Sequence, residues 1–476
     1  MASSWVPELS STGSLHRYRA LAEAIRRAIQ TGELKPGEKL LPHREMAWRL
    51  RVTPATVARA YHIAAEWGLV SARVGQGTHV REPGDDRDPI TLREGDERRN
   101  GNSSPAGIDF GLLLPTPLHD ATLRRSAFES VFTCMGRDLF EQSFSGYAPD
   151  LGYRAHREAG AKWLSDLGMP TKDQEVVVTR GAQEAFLLLL SMFTQPGDPV
   201  LVEETSYLGL LHLLRLRKHQ AIPLSIDEHG VDPSAIQSRA KQSGAKLIFL
   251  CPTLQNPTGI TMPIERRQAI AEAARKAGLL IVEDDPFAAL VEGDRLPPIA
   301  CMAPEITFHL SSISKCTGPA MRVCFMRCAK GHAHNIEGVK HALTLGGSFL
   351  QAEIAAQWIR RGLLKKLCEW QRVQIERRWM LARSALEGRV NEELRPAPFL
   401  FIQLPEPWRA SEFVSTARQF SVTCIEADRF TAGRSGAPPA VRVALSTPAT
   451  ESEVRRGLQV ISDLCSNYLP ARASRY

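Results

Sequence analysis

Hydrophobic and polar residues alternate with a helical period near the N-terminus of this chain. Within "RYRALAEAIRRAIQTGEL", Leu21, Ile25 and Ile29 recur on one face of a predicted helix. The segment "KPGEKL" breaks this pattern, and "PHREMAWRLRV" then predicts a second, shorter helix with Met46 and Leu50 facing inward. The first fifty residues therefore predict a small helical unit.

The pattern continues with a third helix and then changes to a strand period. "PATVARAYHIAAEWGLV" predicts a helix with Thr53 as its N-cap and Pro54 as its first residue. In "VSARVGQGTHVRE", two short runs typical of β-strands flank Gly75 and Gly77, which indicates a hairpin. A helix, a helix-turn-helix and a hairpin wing in this order are typical of DNA-binding domains.

From Ile108 onward, short apolar runs alternate with helical segments. Strands are predicted in "EVVVTRG", "DPVLVEE", "AKLIFLCP" and "LLIVEDD", with helices between them. This order predicts an α/β domain with a mostly parallel sheet and helices on both faces. The intervening residues 83–107 contain three prolines, four glycines and many charges, which favours a linker. We therefore expect domains at 14–82 and 108–470.

Composition and charge narrow the class of protein. Hydrophobic residues make up 43% of the 476 positions, and the longest strongly apolar run, 185–193, is too short to span a membrane. No secretory signal is visible and the nine cysteines form no CxxC pair, so we expect a cytoplasmic protein without disulfides or a metal site. Residues 14–82 hold twelve Lys/Arg against six Asp/Glu, most of the net charge of +7. This surplus suits a phosphate-bearing partner, although a charged helical surface would explain it equally well.

Residues that could bind a ligand or take part in catalysis follow the predicted strands. Because strand ends meet at one edge of a parallel sheet, we expect these residues to lie together. Taken singly, each is more often structural than functional. Ala182–Gln183 form a helix start suited to phosphate, and Tyr207 supplies a ring able to stack. Asn256 supplies an amide, Asp284 a carboxylate and Lys315 an amine. Together these groups are what pyridoxal 5′-phosphate requires, because a lysine amine binds its aldehyde and a carboxylate keeps its ring nitrogen protonated.

The N-terminal region resembles the winged helix of GntR-type regulators. The resemblance runs almost continuously through "TGELKPGEKLLPHREMAWRLRVTPATVARAYHIAAEWGLVSARVGQGTHV". Many members carry an arginine at the position of Pro54. The residues that the resemblance implies to face DNA are Arg44, Thr53, Ala55, Thr56, Arg59, Gly75, Gln76, Gly77 and Thr78.

Residues 108–470 resemble fold type I aminotransferases. The resemblance implies that Lys315 forms the internal aldimine, that Asp284 pairs with the pyridine nitrogen and that Asn256 bonds the ring 3-oxygen. It implies a stacking role for Tyr207 and a bidentate contact between Arg442, in "PPAVRVALS", and a substrate carboxylate. The implied phosphate contacts are Ala182 (through its backbone), Gln183, Ser312 and Arg322. One departure is Phe287 in "EDDPF", where relatives usually carry a tyrosine whose hydroxyl helps to hold the ring 3-oxygen.

The combination of both domains resembles the MocR family of bacterial transcriptional regulators. This resemblance implies a head-to-tail homodimer that presents two winged helices to paired half-sites of double-stranded DNA. It also implies an effector, either a small amino compound or pyridoxal phosphate itself, with little or no steady-state amino transfer. The alternatives are a competent aminotransferase with an attached DNA-binding domain and, less consistent with Lys315, Asp284 and Arg322, a cofactor-free DNA-binding protein.

Overall fold

The computed structural model describes the chain in two compact units. The described residues are 5–7, 17–66, 69–73, 77–80, 107–134, 146–291, 293, 295–433 and 436–467. The division between the units falls after Arg99. The predicted linker 83–107 lies outside the described residues except for Gly107, so its boundaries stay a prediction.

The N-terminal unit has the predicted order of elements. Helices α1 (Arg17–Thr31), α2 (His43–Leu50) and α3 (Pro54–Glu66) precede an antiparallel hairpin of β1 (Val70–Arg73) and β2 (Gly77–Val80). Their apolar faces form one core, in which Leu21, Ile25 and Met46 are fully buried. The hydroxyl of Thr53 accepts a hydrogen bond of 3.2 Å from the backbone N–H of Thr56, so Thr53 caps α3 as predicted.

The C-terminal unit is built on a seven-stranded sheet. Its strands, given in spatial order, are β4 (Val176–Thr179), β12 (Cys324–Arg327), β11 (Thr307–Ser312), β10 (Leu280–Asp284), β9 (Leu247–Leu250), β5 (Pro199–Glu203) and β6 (Gln220–Leu224). All neighbouring pairs are parallel except those made by β12, which runs opposite to β11 and β4. Strands such as β4 and β9 are buried throughout, which explains their continuous apolar runs.

Helices cover this sheet and extend beyond it. In chain order they are α4 (Ala121–Cys134), α5 (Arg154–Asp166), α6 (Ala182–Phe193), α7 (Leu208–Leu216), α8 (Ser234–Ser243), α9 (Ile264–Ala277), α10 (Ile299–Met302), α11 (Ser314–Thr317), α12 (Ala333–Thr344), α13 (Phe349–Arg360), α14 (Leu363–Ala385), α15 (Ala410–Gln419) and α16 (Glu451–Ser466). Within the described ranges, no helix combines the length and apolar character needed to cross a membrane.

Small sheets join the first and last parts of this unit. Strand β3 (Ile108–Asp109) pairs in parallel with β14 (Val422–Thr423), more than 300 residues later in the chain. Strands β13 (Leu400–Gln403), β16 (Ala440–Val443) and β15 (Ile425–Glu426) form an antiparallel sheet, and β7 (Ile226–Asp227) pairs with β8 (Gly230–Val231). The residues just after Gly107 are therefore fixed to the C-terminal part of the same unit.

Candidate functional site

The predicted cofactor residues follow the carboxyl ends of the sheet strands. Gln183 follows β4, Tyr207 follows β5 and Asn256 follows β9, whereas Asp284 ends β10 and Lys315 follows β11. Because β12 is antiparallel, its beginning lies at the same edge and brings Arg322 there. The crossover topology of the sheet is thus what collects residues that are up to about 140 positions apart in the sequence.

Lys315 is a half-buried amine with two guanidinium groups and a carboxyl group nearby. Its Nζ donates a hydrogen bond of 2.7 Å to the backbone carbonyl of Leu113. Burial lowers the pKa of Lys315 from 10.5 to about 8, and the nearby guanidinium of Arg442 acts in the same direction. Asp284 opposes this shift. The neutral, nucleophilic amine is therefore far more populated at neutral pH than in an exposed lysine.

Asp284 is a buried carboxyl group that lacks a hydrogen-bond partner on one oxygen. Only 5% of the residue is exposed, and its Oδ1 contacts no donor in the described part of the chain. Burial raises the pKa of Asp284 to about 7, and the neighbouring Asp285 contributes in the same direction. A buried carboxylate of this kind is costly unless it meets a cation or donor. A protonated ring nitrogen would supply both.

The start of α6 is suited to binding a phosphate-sized anion. Gly181 caps this helix with φ of 88°, and a Cβ placed on it would lie only 2.7 Å from Nη2 of Arg322. Arg322 also donates a hydrogen bond of 3.4 Å to the carbonyl of Arg180. The first N–H groups of α6, which have no partner within the helix, thus begin beside the guanidinium of Arg322, as anion binding requires.

Two serines lie between the end of β11 and Lys315: Ser312 is the last residue of the strand, and Ser314 directly precedes the lysine. The hydroxyl of Ser312 accepts a 3.4 Å hydrogen bond from the N–H of Ser314. Ser314 itself is 8% exposed, and its hydroxyl has no partner among the described residues. Ser312 was predicted from sequence, but Ser314 was not. Its position directly before Lys315 was the available signal, and its unused buried hydroxyl makes it a further candidate for the anion.

Tyr207 and Gln183 pack against each other beside the helix start. A Cβ on Gly209 would collide with the ring of Tyr207 and the amide of Gln183, so glycine is what allows this close packing. Burial raises the pKa of Tyr207, Asp284 adds to that rise, and a hydrogen bond with Gln183 opposes it. Tyr207 therefore keeps its proton near neutral pH and presents an uncharged ring.

The loop that carries Asn256 rests on a buried pair that sequence reasoning missed. The side-chain amide of Gln255 donates a hydrogen bond of 3.1 Å to Oε2 of Glu203 and another to the carbonyl of Thr205. Its side-chain oxygen accepts a hydrogen bond from the backbone N–H of Thr258. Burial raises the pKa of Glu203 to about 8, so this carboxyl is largely protonated at neutral pH. The pair fixes the loop behind Asn256. Glu203 at the end of an apolar strand was the signal that could have identified it.

Arg442 lies inside the site with donor capacity to spare. It is 4% exposed, its Nη1 lies 3.5 Å from Oδ1 of Asn256, and its Nη2 donates to the carbonyl of Gly111. Its Nε has no partner within the described chain. Burial lowers the pKa of Arg442 to about 10, which leaves it charged at neutral pH. An Arg with a free Nε–H next to its Nη2 suits a carboxylate.

Phe287 packs into the core as an apolar residue. It is 1% exposed, and its ring centroid lies 5.5 Å from that of Phe399 in an edge-on arrangement. Its side chain has no group that can donate to a ring oxygen. Asn256 is thus the residue of the predicted pair that retains a hydrogen-bonding group.

The winged-helix unit presents most of its predicted DNA-facing residues outward. Those that are exposed or partly exposed are Arg44, Thr53, Ala55, Thr56 and Arg59. The guanidinium of Arg59 also lies 4.1 Å from the ring centroid of Tyr18, which holds it against α1. Gly75 and Gln76 lie outside the described residues, and Gly77 begins β2.

Thr78 differs from the expectation that it faces outward. The residue is 9% exposed, and its carbonyl accepts a hydrogen bond of 2.8 Å from the N–H of Leu40. Side chains alternate along a strand, so Thr78 shares the inward face with Val80, which is 2% exposed. The wing therefore leaves Thr78 packed against the unit rather than directed outward.

Comparisons with known proteins match both units. The family model "Aminotransferase class I and II" matches residues 130–461, and "Bacterial regulatory proteins, gntR family" matches residues 17–80. The uncharacterized HTH-type transcriptional regulator YdeF of Bacillus subtilis is 27% identical over 469 residues, 97% of this chain and 96% of that protein. The similarity therefore includes both units and their order.

Two further similarities cover 64% and 80% of the chain. The vitamin B6 salvage pathway transcriptional repressor PtsJ of Salmonella typhimurium is 30% identical over 314 residues, which are 64% of this chain and 66% of that protein. The crystal structure of kynurenine aminotransferase from Pyrococcus horikoshii superposes with a TM-score of 0.69 at 22% identity, covering 80% of this chain and 98% of that one. The latter shows a shared fold.

Proposed function

Because the chain belongs to the aminotransferase class I and II family and joins that domain to a GntR-family DNA-binding domain, as MocR-type regulators do, we propose that it is a transcriptional regulator whose DNA affinity responds to a small amine or to pyridoxal 5′-phosphate. Pyridoxal 5′-phosphate is the cofactor of the larger domain. The name of PtsJ, a vitamin B6 salvage repressor, favours the cofactor itself as one effector.

The observation that carries this proposal is that the Lys315 amine and the partnerless oxygen of Asp284 lie at the same edge of the sheet. When bound, the cofactor supplies an aldehyde that reacts with amines and a pyridine ring that withdraws electrons. Lys315 would hold it covalently through Nζ, and Asp284 would stabilise the proton on the ring nitrogen. Arg322, Ser312, Ser314 and the N–H groups of α6 would bind the phosphate.

The remaining groups orient the ring and select the effector. Tyr207 would stack on the ring, and Asn256 would donate its amide to the ring oxygen. Arg442 would bind a carboxylate through its unused Nε and its Nη2, which favours an effector that carries both an amine and a carboxylate. Binding of such an effector changes the DNA affinity only if it favours one arrangement of the protein over another.

We further propose that the protein acts as a head-to-tail homodimer on paired half-sites. The winged helix would place α3 in the major groove, with Arg44 and Arg59 near the phosphates and the wing tip beside them. The basic surplus of residues 14–82 supports a phosphate-bearing partner. Because this surplus lies on the small unit, DNA binding and effector binding would use different parts of the chain.

A competent aminotransferase is the second candidate. It is favoured by the retention of Lys315, Asp284 and Arg442 in one site, since these are also the groups that amino transfer needs. The buried phenyl ring of Phe287 weighs against it, because the ring oxygen would lack the hydroxyl donor that is usual in the family. Steady-state amino transfer with common amino acids and keto acids distinguishes the two, since we expect slow or absent turnover.

The test of cofactor binding is an absorbance titration of the purified protein with pyridoxal phosphate. We expect a visible band that forms with wild type and is absent in Lys315→Ala. Lys366→Ala is the control, because Lys366 is an exposed lysine on α14 of the same unit. A wild type whose spectrum at saturating cofactor is only that of free pyridoxal phosphate would refute the assignment. The same samples then report promoter affinity with and without the cofactor.

A further inference from the structure

The first described residues after the connection between the units run through the cofactor site. We refer to Phe110–Leu114 as the strap. Strand β3 precedes it and is held by β14, with the N–H of Phe110 donating 2.9 Å to the carbonyl of Thr423. Phe110 is fully buried, and a Cβ on Gly457 of α16 would collide with its ring. The strap therefore starts from a fixed point.

The carbonyls of the strap alternate between two sets of partners. The carbonyl of Phe110 accepts a hydrogen bond of 2.9 Å from the N–H of Ala444. The carbonyl of Leu112 accepts a hydrogen bond from the hydroxyl of Thr447, and that of Leu114 accepts one from the hydroxyl of Ser446. We call this set of contacts the anchor side. Thr447 also accepts 3.1 Å from the N–H of Leu114. The even-numbered residues thus bind the chain segment that follows β16.

The two odd-numbered carbonyls face the site. Gly111 accepts from the guanidinium of Arg442, and Leu113 accepts 2.7 Å from Nζ of Lys315. These are the two side chains that would bind the carboxylate of an effector and the aldehyde of the cofactor. One short backbone segment therefore contacts both of the groups whose partners change when the site is used.

Asp109 orients the strap at its start. Its Oδ1 accepts a hydrogen bond of 2.7 Å from the N–H of Gly111 and one of 2.9 Å from the hydroxyl of Thr423. The same carboxylate acts to raise the pKa of Arg442, so it also stabilises the charge on that guanidinium. Asp109 lies two residues after Gly107, where the described chain of this unit begins.

We propose that the strap is the element that relays occupancy of the cofactor site to the chain segment leading to the winged helix. The inference rests on the proposed function. When Lys315 bonds to the aldehyde carbon, its neutral amine loses both N–H hydrogens, which leave with the aldehyde oxygen as water. The Leu113 carbonyl then loses its donor. A carboxylate at Arg442 competes with the Gly111 carbonyl in the same way.

The alternation makes this relay directional. Loss of the site-facing bonds leaves the strap held by its anchor side alone, which keeps its even-numbered carbonyls in place. The strap can then rotate about the anchor side, which weakens the hydrogen bond that Asp109 accepts from the N–H of Gly111, so that the change reaches β3 and the residues that precede it. A ligand that bound without touching Lys315 or Arg442 would leave both odd-numbered bonds intact and would produce no signal.

The first test uses pyridoxal phosphate as the probe and hydrogen exchange as the readout. The full-length protein is stripped of cofactor, reloaded, and compared by mass spectrometry over residues 107–118, with residues 234–243 of α8 as reference. We expect exchange in 107–118 to accelerate by about fivefold on loading, the factor that corresponds to one lost hydrogen bond, while the reference changes less. A visible band without this acceleration would overturn the relay and leave the proposed function intact. Failure of the band to form would refute the proposed function instead.

The second test weakens the anchor side without touching the site. Thr447→Val removes the hydroxyl that binds Leu112 and Leu114, and Thr416→Val is the matched control, since Thr416 is also buried and donates to the Glu412 carbonyl within α15. Both variants should bind cofactor within about twofold of wild type. We expect the ratio of promoter affinities with and without cofactor to shrink at least threefold in Thr447→Val alone. An unchanged ratio, or equal changes in both variants, would overturn the proposal.

Discussion

The guanidinium of Arg322 occupies the space beside Gly181 that a side chain would need. A Cβ at Gly181 would lie 2.7 Å from Nη2 and 2.9 Å from Cζ of Arg322. The helix cap and the arginine are therefore in contact before any anion binds, and neither can change without moving the other. This relationship makes the phosphate part of the site testable apart from the lysine.

Gly181→Ala should weaken cofactor binding by at least tenfold, because the arginine must move away from the helix start and a positive φ disfavours alanine by about 1 kcal/mol. Gly168→Ala is the control, since Gly168 has φ of 94° but nothing within 4 Å of its Cβ position. Fluorescence or absorbance titration with pyridoxal phosphate measures the affinities. Equal losses in both variants would mean that backbone strain alone is responsible.

The rate of cofactor attachment should rise with pH and level off near the pKa of Lys315. The neutral amine is the reactive form, and burial lowers this pKa to about 8, so the neutral fraction saturates above that value rather than near 10.5. Stopped-flow absorbance between about pH 6 and pH 10 measures the profile. A rate that keeps rising through the whole range would contradict the shift.

The same profile tests the electrostatic effect of Asp284 on Lys315. The charge of Asp284 raises the pKa of Lys315, so Asp284→Asn should move the plateau to lower pH. It should also weaken equilibrium binding of the cofactor, because an amide stabilises a protonated ring nitrogen less well than a carboxylate. Glu272→Gln is the control, since Glu272 is an exposed acidic residue on α9. A plateau at the same pH in wild type and Asp284→Asn would show that this carboxylate does not act on the lysine.

Arg442→Lys should abolish the preference for amines that carry a carboxylate. Lysine keeps the positive charge but lacks the two-pronged geometry, so we expect a loss of roughly 2 kcal/mol, about thirtyfold, for such ligands. The measurement compares L-alanine with ethylamine by the change in cofactor absorbance. Binding of ethylamine and of the cofactor should stay within about threefold. An equal loss for both amines would place the carboxylate contact elsewhere.

Arg44→Ala and Arg59→Ala should each weaken promoter binding and reduce its dependence on salt. Each lost phosphate contact lowers the slope of log affinity against log salt by about 0.9. Arg59→Ala should also cost roughly 0.5–1 kcal/mol of unfolding free energy, because it loses the ring of Tyr18. Arg26→Ala on α1, where Arg26 pairs with Glu23, is the control. Unchanged salt slopes in both variants would show that the DNA-binding face does not include these two arginines.

Sequence reasoning recovered the parts of this protein that follow from residue type and strand order. Asn256 and Asp284 could be placed together because each follows a predicted apolar strand, and parallel strands end at one edge. The cap at Thr53 followed from its position before Pro54. These features are encoded locally, so a single sequence suffices to predict them.

Other features depend on contacts between distant parts of the chain. The carbonyls of Gly111 and Leu113 carry no signal in residue type, since every residue has a carbonyl. Glu203 and Gln255 meet because β5 and β9 are neighbours, an order that the sequence alone left open. The burial of Thr78 follows from strand alternation with Val80, whereas the resemblance placed Thr78 only by its position near the wing tip.

The antiparallel course of β12 has a consequence for how the cofactor site can be lost. The end of β11 and the turn to β12 carry Ser312, Lys315 and Arg322 within eleven residues, so the proposed covalent anchor lies between two proposed phosphate contacts on one hairpin. Substitution of the lysine leaves both ends of that hairpin unchanged. A descendant of this protein could therefore abandon the covalent bond in one mutational step and still retain a receptor for the phosphorylated vitamin.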